Sequence, residues 1–110
     1  HHYIDFRDAE GKVFADQMAL LDKRVNVHLH MVRDEYEGQI SRESVIARDA
    51  DILECLVQAK EYVDNGYPVA KTFFKRAPLY LKTACAKKLW NKILSWDSHV
   101  WWQHIVKFER

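Results

Sequence analysis

The sequence predicts an all-α domain, and three observations carry that reading. Glycine (3) and proline (2) are scarce in 110 residues, whereas sheet folds need many turns. Long stretches repeat their apolar positions at helical spacing. Only one short stretch alternates as a strand would, and nothing is available to pair with it.

The first helix is expected from about Asp8 to Leu21, with Asp8 as its cap and Val13, Met18, Leu20 and Leu21 on a loose apolar side. Asp22-Lys23-Arg24 reads as a connection. In 25–36, Val25, Val27, Leu29 and Met31 alternate with polar residues, but Leu29, Val32 and Tyr36 fit a helix. Helix is the better reading, because an isolated strand leaves its backbone groups unpaired. Gly38 and Gln39 then break the pattern, and Ser41 is a good N-cap for the next helix.

Residues 41–64 form the clearest helix, stopping at Asn65-Gly66, a natural left-handed terminus. Val45, Ile52, Leu53, Leu56 and Val63 make one stripe, and Ala47, Cys55 and Tyr62 a weaker second one. Two stripes predict a central helix packed on more than one side. Pro68 opens a short helix through about Lys75, and Pro78 interrupts the chain again. Another helix is expected from Thr83 to Ser95 with Ala84, Leu89 and Ile93 inward. A last one runs from about Ser98 to Lys107 with Val100, Trp101, Ile105 and Phe108. With no repeats or linkers, residues 1–110 read as one helical domain.

Composition bounds the function. Hydrophobic residues are 48% and charged residues 30%, so the chain is globular. The 17 basic and 16 acidic residues leave a net charge of +1, no broad field for a phosphate backbone, so nucleic acid is not expected as a partner. A compact nucleotide needs only a local site. Uncharged runs fall far short of the roughly 20 residues that span a bilayer, and no signal peptide is visible; the expectation is a cytoplasmic protein without a membrane partner. Cys55 and Cys85 fit no zinc spacing and read as half-buried thiols in a reducing compartment. His1-His2 opens the chain without an initiator Met, so either sequence precedes it or these residues are a tag remnant.

The chemistry concentrates in Arg48-Asp49-Ala50-Asp51-Ile52-Leu53-Glu54. On the helical wheel Asp49 falls within the apolar stripe, and Asp51 lies about 200° away beside Ser44, Cys55 and Tyr62. An ionised carboxylate among aliphatics requires a charge, hydrogen bonds or a metal, so at least one of these acids should have a specific partner: an arginine, a helix N-terminus or a cation.

The stretch 41–62, S-R-E-S-V-I-A-R-D-A-D-I-L-E-C-L-V-Q-A-K-E-Y, resembles the segment of HD-domain metal-dependent phosphohydrolases that carries their last metal ligand, in the branch of the 5′-deoxynucleotidases. Upstream, Arg33-Asp34-Glu35-Tyr36-Glu37 resembles the acidic aromatic end of that family's preceding helix, and 2–17 the strip joining its catalytic loop to that helix. Downstream, Leu81-Lys82-Thr83 and the Trp101-Trp102 helix resemble its tail. The resemblance implies an HD-like helical bundle, of which this chain is the C-terminal portion. It also implies a divalent metal (Mn, Co, Mg or similar), a small phosphorylated substrate such as a nucleoside 5′-monophosphate, and hydrolysis of its phosphomonoester. In the family one His, a His-Asp pair and a later Asp hold the metal, which polarises the phosphoryl oxygens and lowers the pKa of the attacking water. The later Asp matches Asp51; Asp49 occupies a position where relatives carry Asp or an amide and is a secondary candidate. No His-Asp dipeptide occurs in this sequence, so the N-terminal ligand helices are absent, no catalytic residue is assigned, and one carboxylate alone cannot hold the ion. Without those helices, apolar surface on 41–64 should be exposed and the chain should form homo-oligomers. The alternative is a non-catalytic helical dimerisation or regulatory module in which Asp51 is ion-paired.

Other residues read more plainly. His28-x-His30 would be a metal pair on a strand, as in amidohydrolase-like barrels, but the two diverge on a helix and a barrel exceeds 110 residues. His99 and His104, five apart, do not share a helical face. Trp90, Trp96, Trp101 and Trp102 near Lys87, Lys88, Lys92 and Lys107 could stack nucleic-acid bases, yet tryptophans at helical spacing more often build a core or dimer face. Lys71, Lys75 and Arg76 read as a solvated helix face.

Overall fold

The computed structural model describes residues 2–100, and side chains from Phe6 onward. Its fold is all-α: among the described residues there is no strand. The helices are α1 (His2–Met18), α2 (Lys23–Gly38), α3 (Arg42–Asp64), α4 (Phe73–Arg76) and α5 (Ala84–Ser95). Short 3-10 turns at Pro68–Thr72 and Ala77–Tyr80 flank α4. The backbone divides into two compact units, His1–Ser41 and Arg42–Arg110.

The first unit is a helical hairpin. Its α1 starts earlier than the Asp8 cap suggested and stops at Met18 rather than Leu21. Asp8 thus lies inside the helix, and Leu20, placed on its apolar side, is 88% exposed. The connection ends at Asp22, whose carboxylate caps α2 by accepting from the Arg24 N–H at 2.9 Å. The alternating segment 25–36 is helical, which removes the register that would have joined His28 to His30. His30 meets Phe14 edge-on at 5.1 Å, and the Arg33 guanidinium lies 4.7 Å over the same ring. His28 is exposed. At the far end α2 closes through Gln39 in the left-handed region (φ 53°), where its side-chain amide donates to the Tyr36 carbonyl. No described side chain of this unit is fully buried.

The second unit is built on α3, which extends one residue less at its start than expected and ends where Asn65-Gly66 predicted. Gly66 has φ 96°, and Gly66 and Tyr67 return hydrogen bonds to the carbonyls of Val63 and Tyr62, a left-handed closure that glycine accepts without strain. The core gathers Leu56, Leu81, Ala86 and Trp90, with Ile52, Leu53, Phe74, Ala77 and Ile93 against it. Phe74 meets Trp90 edge-on at 5.1 Å. Trp90 is therefore a core residue, while Lys87, Lys88 and Lys92 are exposed.

The first stripe of α3 packs as expected. The second does not: Ala47, Cys55 and Tyr62 are exposed, and only Ser44 on that side is buried. Both cysteines are exposed rather than half-buried. On α5, Leu89 is 46% exposed and the buried positions are Ala86 and Trp90. Beyond Val100 the last expected helix, with Trp101, Trp102 and His104, lies outside the described residues. No helix among the described residues is long and apolar enough to cross a membrane.

Candidate functional site

The two acids at the heart of α3 have different surroundings. Asp49 is 3% exposed, and its Oδ1 and Oδ2 accept from the backbone N–H groups of Lys82 at 2.9 Å and Thr83 at 2.8 Å. Thr83 Oγ1 accepts from the Ala86 N–H at 3.2 Å as the N-cap of α5. Burial works to raise the Asp49 pKa, but these donors, helped by the Lys82 charge, outweigh it and hold the carboxyl below its ordinary value. An acid suits this place because the first N–H groups of a helix lack intrahelical acceptors and carry partial positive charge. Of the partners open to a buried carboxylate, the helix N-terminus is the one realised.

Asp51 is exposed on α3, turned away from Asp49 by its two-residue separation. The fold does not bring the two acids into one site. Among the described residues, no group of three or more His, Cys, Asp or Glu side chains could hold a metal ion. The described residues thus do not complete the ligand set that the resemblance implies.

Sequence reasoning missed a second carboxylate clasp at the other end of α3. Lys60 Nζ lies 2.6 and 2.7 Å from the two oxygens of Asp64. The Ser98 N–H donates to Asp64 Oδ2 at 3.1 Å, and His99 Nε2 lies 3.2 Å from the Asp64 carbonyl oxygen. The Lys60 contact, opposed by burial and supported by Ser98, lowers the Asp64 pKa to about 2. The Lys60/Asp64 spacing of four was the visible half of this signal; nothing local pointed to Ser98. The two clasps join residues 33 or 34 apart in sequence, so α5 runs parallel to α3, tied just before its start and just past its end.

Beside Asp49 a groove of about 510 Å³ opens between α3 and α5, lined by Val45, Ile46, Ala50, Leu53, Ala86 and Leu89. Arg42 also lines it. The lining is apolar apart from Arg42, Asp49 and Thr83, and both polar atoms of the Asp49 carboxylate are already engaged. Such a groove suits an apolar surface better than a phosphate.

No protein-family model, curated protein or solved structure gives a significant match to the chain.

Proposed function

We propose that this chain is the C-terminal half of an HD-type metal-dependent phosphohydrolase acting on a nucleoside 5′-monophosphate or similar phosphomonoester, to which it contributes one metal ligand, Asp51. The observation supporting this reading is the division of labour between the two acids. Asp49 is consumed by the N-terminus of α5, so its burial is accounted for without a cation, and Asp51, exposed on α3, stands at the position that the resemblance assigns to the last ligand. Asp49 is then a positioning residue: it fixes the rotation of α3 and hence the direction in which Asp51 projects. The remaining ligands come from residues outside those described. The test is phosphate release from a panel of nucleoside monophosphates by the full-length protein with Mn²⁺ or Co²⁺. Asp51→Ala should abolish turnover while helical circular dichroism is unchanged; full turnover in that variant refutes the assignment.

A second reading, a non-catalytic helical interaction or regulatory module, is favoured by the open apolar groove and by Ile46 and Leu89 in its lining, 49% and 46% exposed. A full-length protein that releases no phosphate with any divalent ion supports that reading.

A further inference from the structure

We infer that the groove between α3 and α5 is the interface for a second copy of this chain, in which α3 of each copy lies along α5 of the other. The first observation is apolar surface without cover. Buried hydrophobic residues among those described are Leu56, Ala59, Leu81, Ala86 and Trp90, two of them alanines. Ile46 and Leu89 both line the groove with nearly half their surface exposed. Burying such side chains is favourable by roughly 25 cal/mol per Å² of apolar area.

The second observation is charge, and it selects the occupant. α3 carries Glu43, Asp49, Asp51, Glu54, Glu61 and Asp64 against Arg42, Arg48 and Lys60, a net of −3 from six acids and three bases. α5 carries Lys87, Lys88 and Lys92 and no acid, a net of +3. These charges lie along the two helices that bound the groove. Glu43, Glu54 and Glu61 recur at eleven and seven residues, so they share one line on α3, just outside Ile46, Ala50 and Val57. Lys88 and Lys92 share a line on α5 flanking Cys85 and Leu89. All five are exposed. The helix pair therefore presents one acidic rim and one basic rim on either side of the groove's face, which is the pattern a self-complementary face requires.

Register completes the match. A two-fold axis parallel to the helices lays α3 of one copy over α5 of the other at the same height. The clasps set equal height at an offset of 33 or 34 residues. Glu54 of one copy then falls level with Lys88 of the second, and Glu61 within about one turn of Lys92. An axis perpendicular to the helices would instead place acidic rim on acidic rim.

The two cysteines supply an internal gauge. Cys85 lines the groove, whereas Cys55 lies on the opposite side of α3 from Ile46 and is exposed. The experiment measures mass by light scattering, and the modification rate of each thiol by mass spectrometry, across a dilution series. The expected result is a mass of twice 13.1 kDa at high concentration, with Cys85 modification slowed about tenfold relative to Cys55 when nine chains in ten are paired. Dilution should release Cys85 and leave Cys55 unchanged. Two charge-reversed variants, E54K/E61K and K88E/K92E, should each be monomeric alone and form a mixed dimer when combined. A monomer throughout the series overturns the inference. So does a concentration-independent shielding of Cys85, which would mean that another part of the same chain fills the groove, or a failure of the mixed variants to pair. None of these readouts involves phosphate release, so a failure of this inference is distinguishable from a failure of the hydrolase reading.

Discussion

Replacing Asp49 by alanine tests whether a buried carboxylate holds the second unit together. The side chain is 3% exposed and accepts two backbone hydrogen bonds at 2.9 and 2.8 Å. A hydrogen bond to a charged group is worth roughly 1.5–3 kcal/mol net, so the two represent about 3–6 kcal/mol. Removing the carboxylate also removes its own desolvation cost, which places the expected loss near the lower end, about 3 kcal/mol. A domain of this size holds only about 5–15 kcal/mol in total. The unit Arg42–Arg110 has 69 residues (110 − 41), and for a domain of that length the loss corresponds to a fall in Tm of roughly 12–24 °C. Thermal unfolding followed by tryptophan fluorescence reads this directly, since Trp90 lies in the same core. Asp49→Asn keeps one acceptor but turns an amide N–H₂ toward the second donor, and should lose an intermediate amount. Asp51→Ala, at an exposed position, should stay within about 0.5 kcal/mol. An Asp49→Ala protein melting within about 3 °C of the parent would refute the anchoring role.

Two further perturbations probe the same packing. The Asp64 carboxyl sits at about 2 in the folded chain against an ordinary 3.8, nearly two units, or about 2 kcal/mol. Because the folded value is the lower one, this stabilisation is fully present above about pH 4 and is lost as the pH falls toward 2. Urea midpoints measured from pH 5 to pH 2 should fall, and Lys60→Met should flatten that dependence; an unchanged slope in the variant would rule out the clasp as its source. Leu56 is fully buried at the centre of the core, and Leu56→Ala should cost about 2–5 kcal/mol by urea denaturation, with a loss below about 1 kcal/mol arguing against this core.

Much of the fold is legible locally. The stop of α3 at Asn65-Gly66 reflects the need for a left-handed residue, and the broken path from Pro68 to Tyr80 reflects two prolines. The helical state of 25–36 reflects the lack of a strand to pair with. Packing is less legible. The wheel offered α3 two apolar stripes, but α5 and the intervening turns cover only one of them, so Cys55 and Tyr62 face outward. Leu20 looked like part of a helix face, yet α1 ends before it.

The candidate site divides in the same way. From the sequence came the requirement that an acid on the apolar face of α3 have a partner, because an ionised carboxylate among aliphatics is costly, and the motif match that singles out Asp51. Only the tertiary structure decided that the partner of Asp49 is the start of a helix 33 residues away, and that Asp64 holds Ser98 in the same manner. Backbone N–H groups carry no signature in a side-chain sequence, and a pairing over such a separation depends on how the intervening chain turns. The sequence specifies which groups cannot be buried alone; the path of the folded chain determines which donor reaches them.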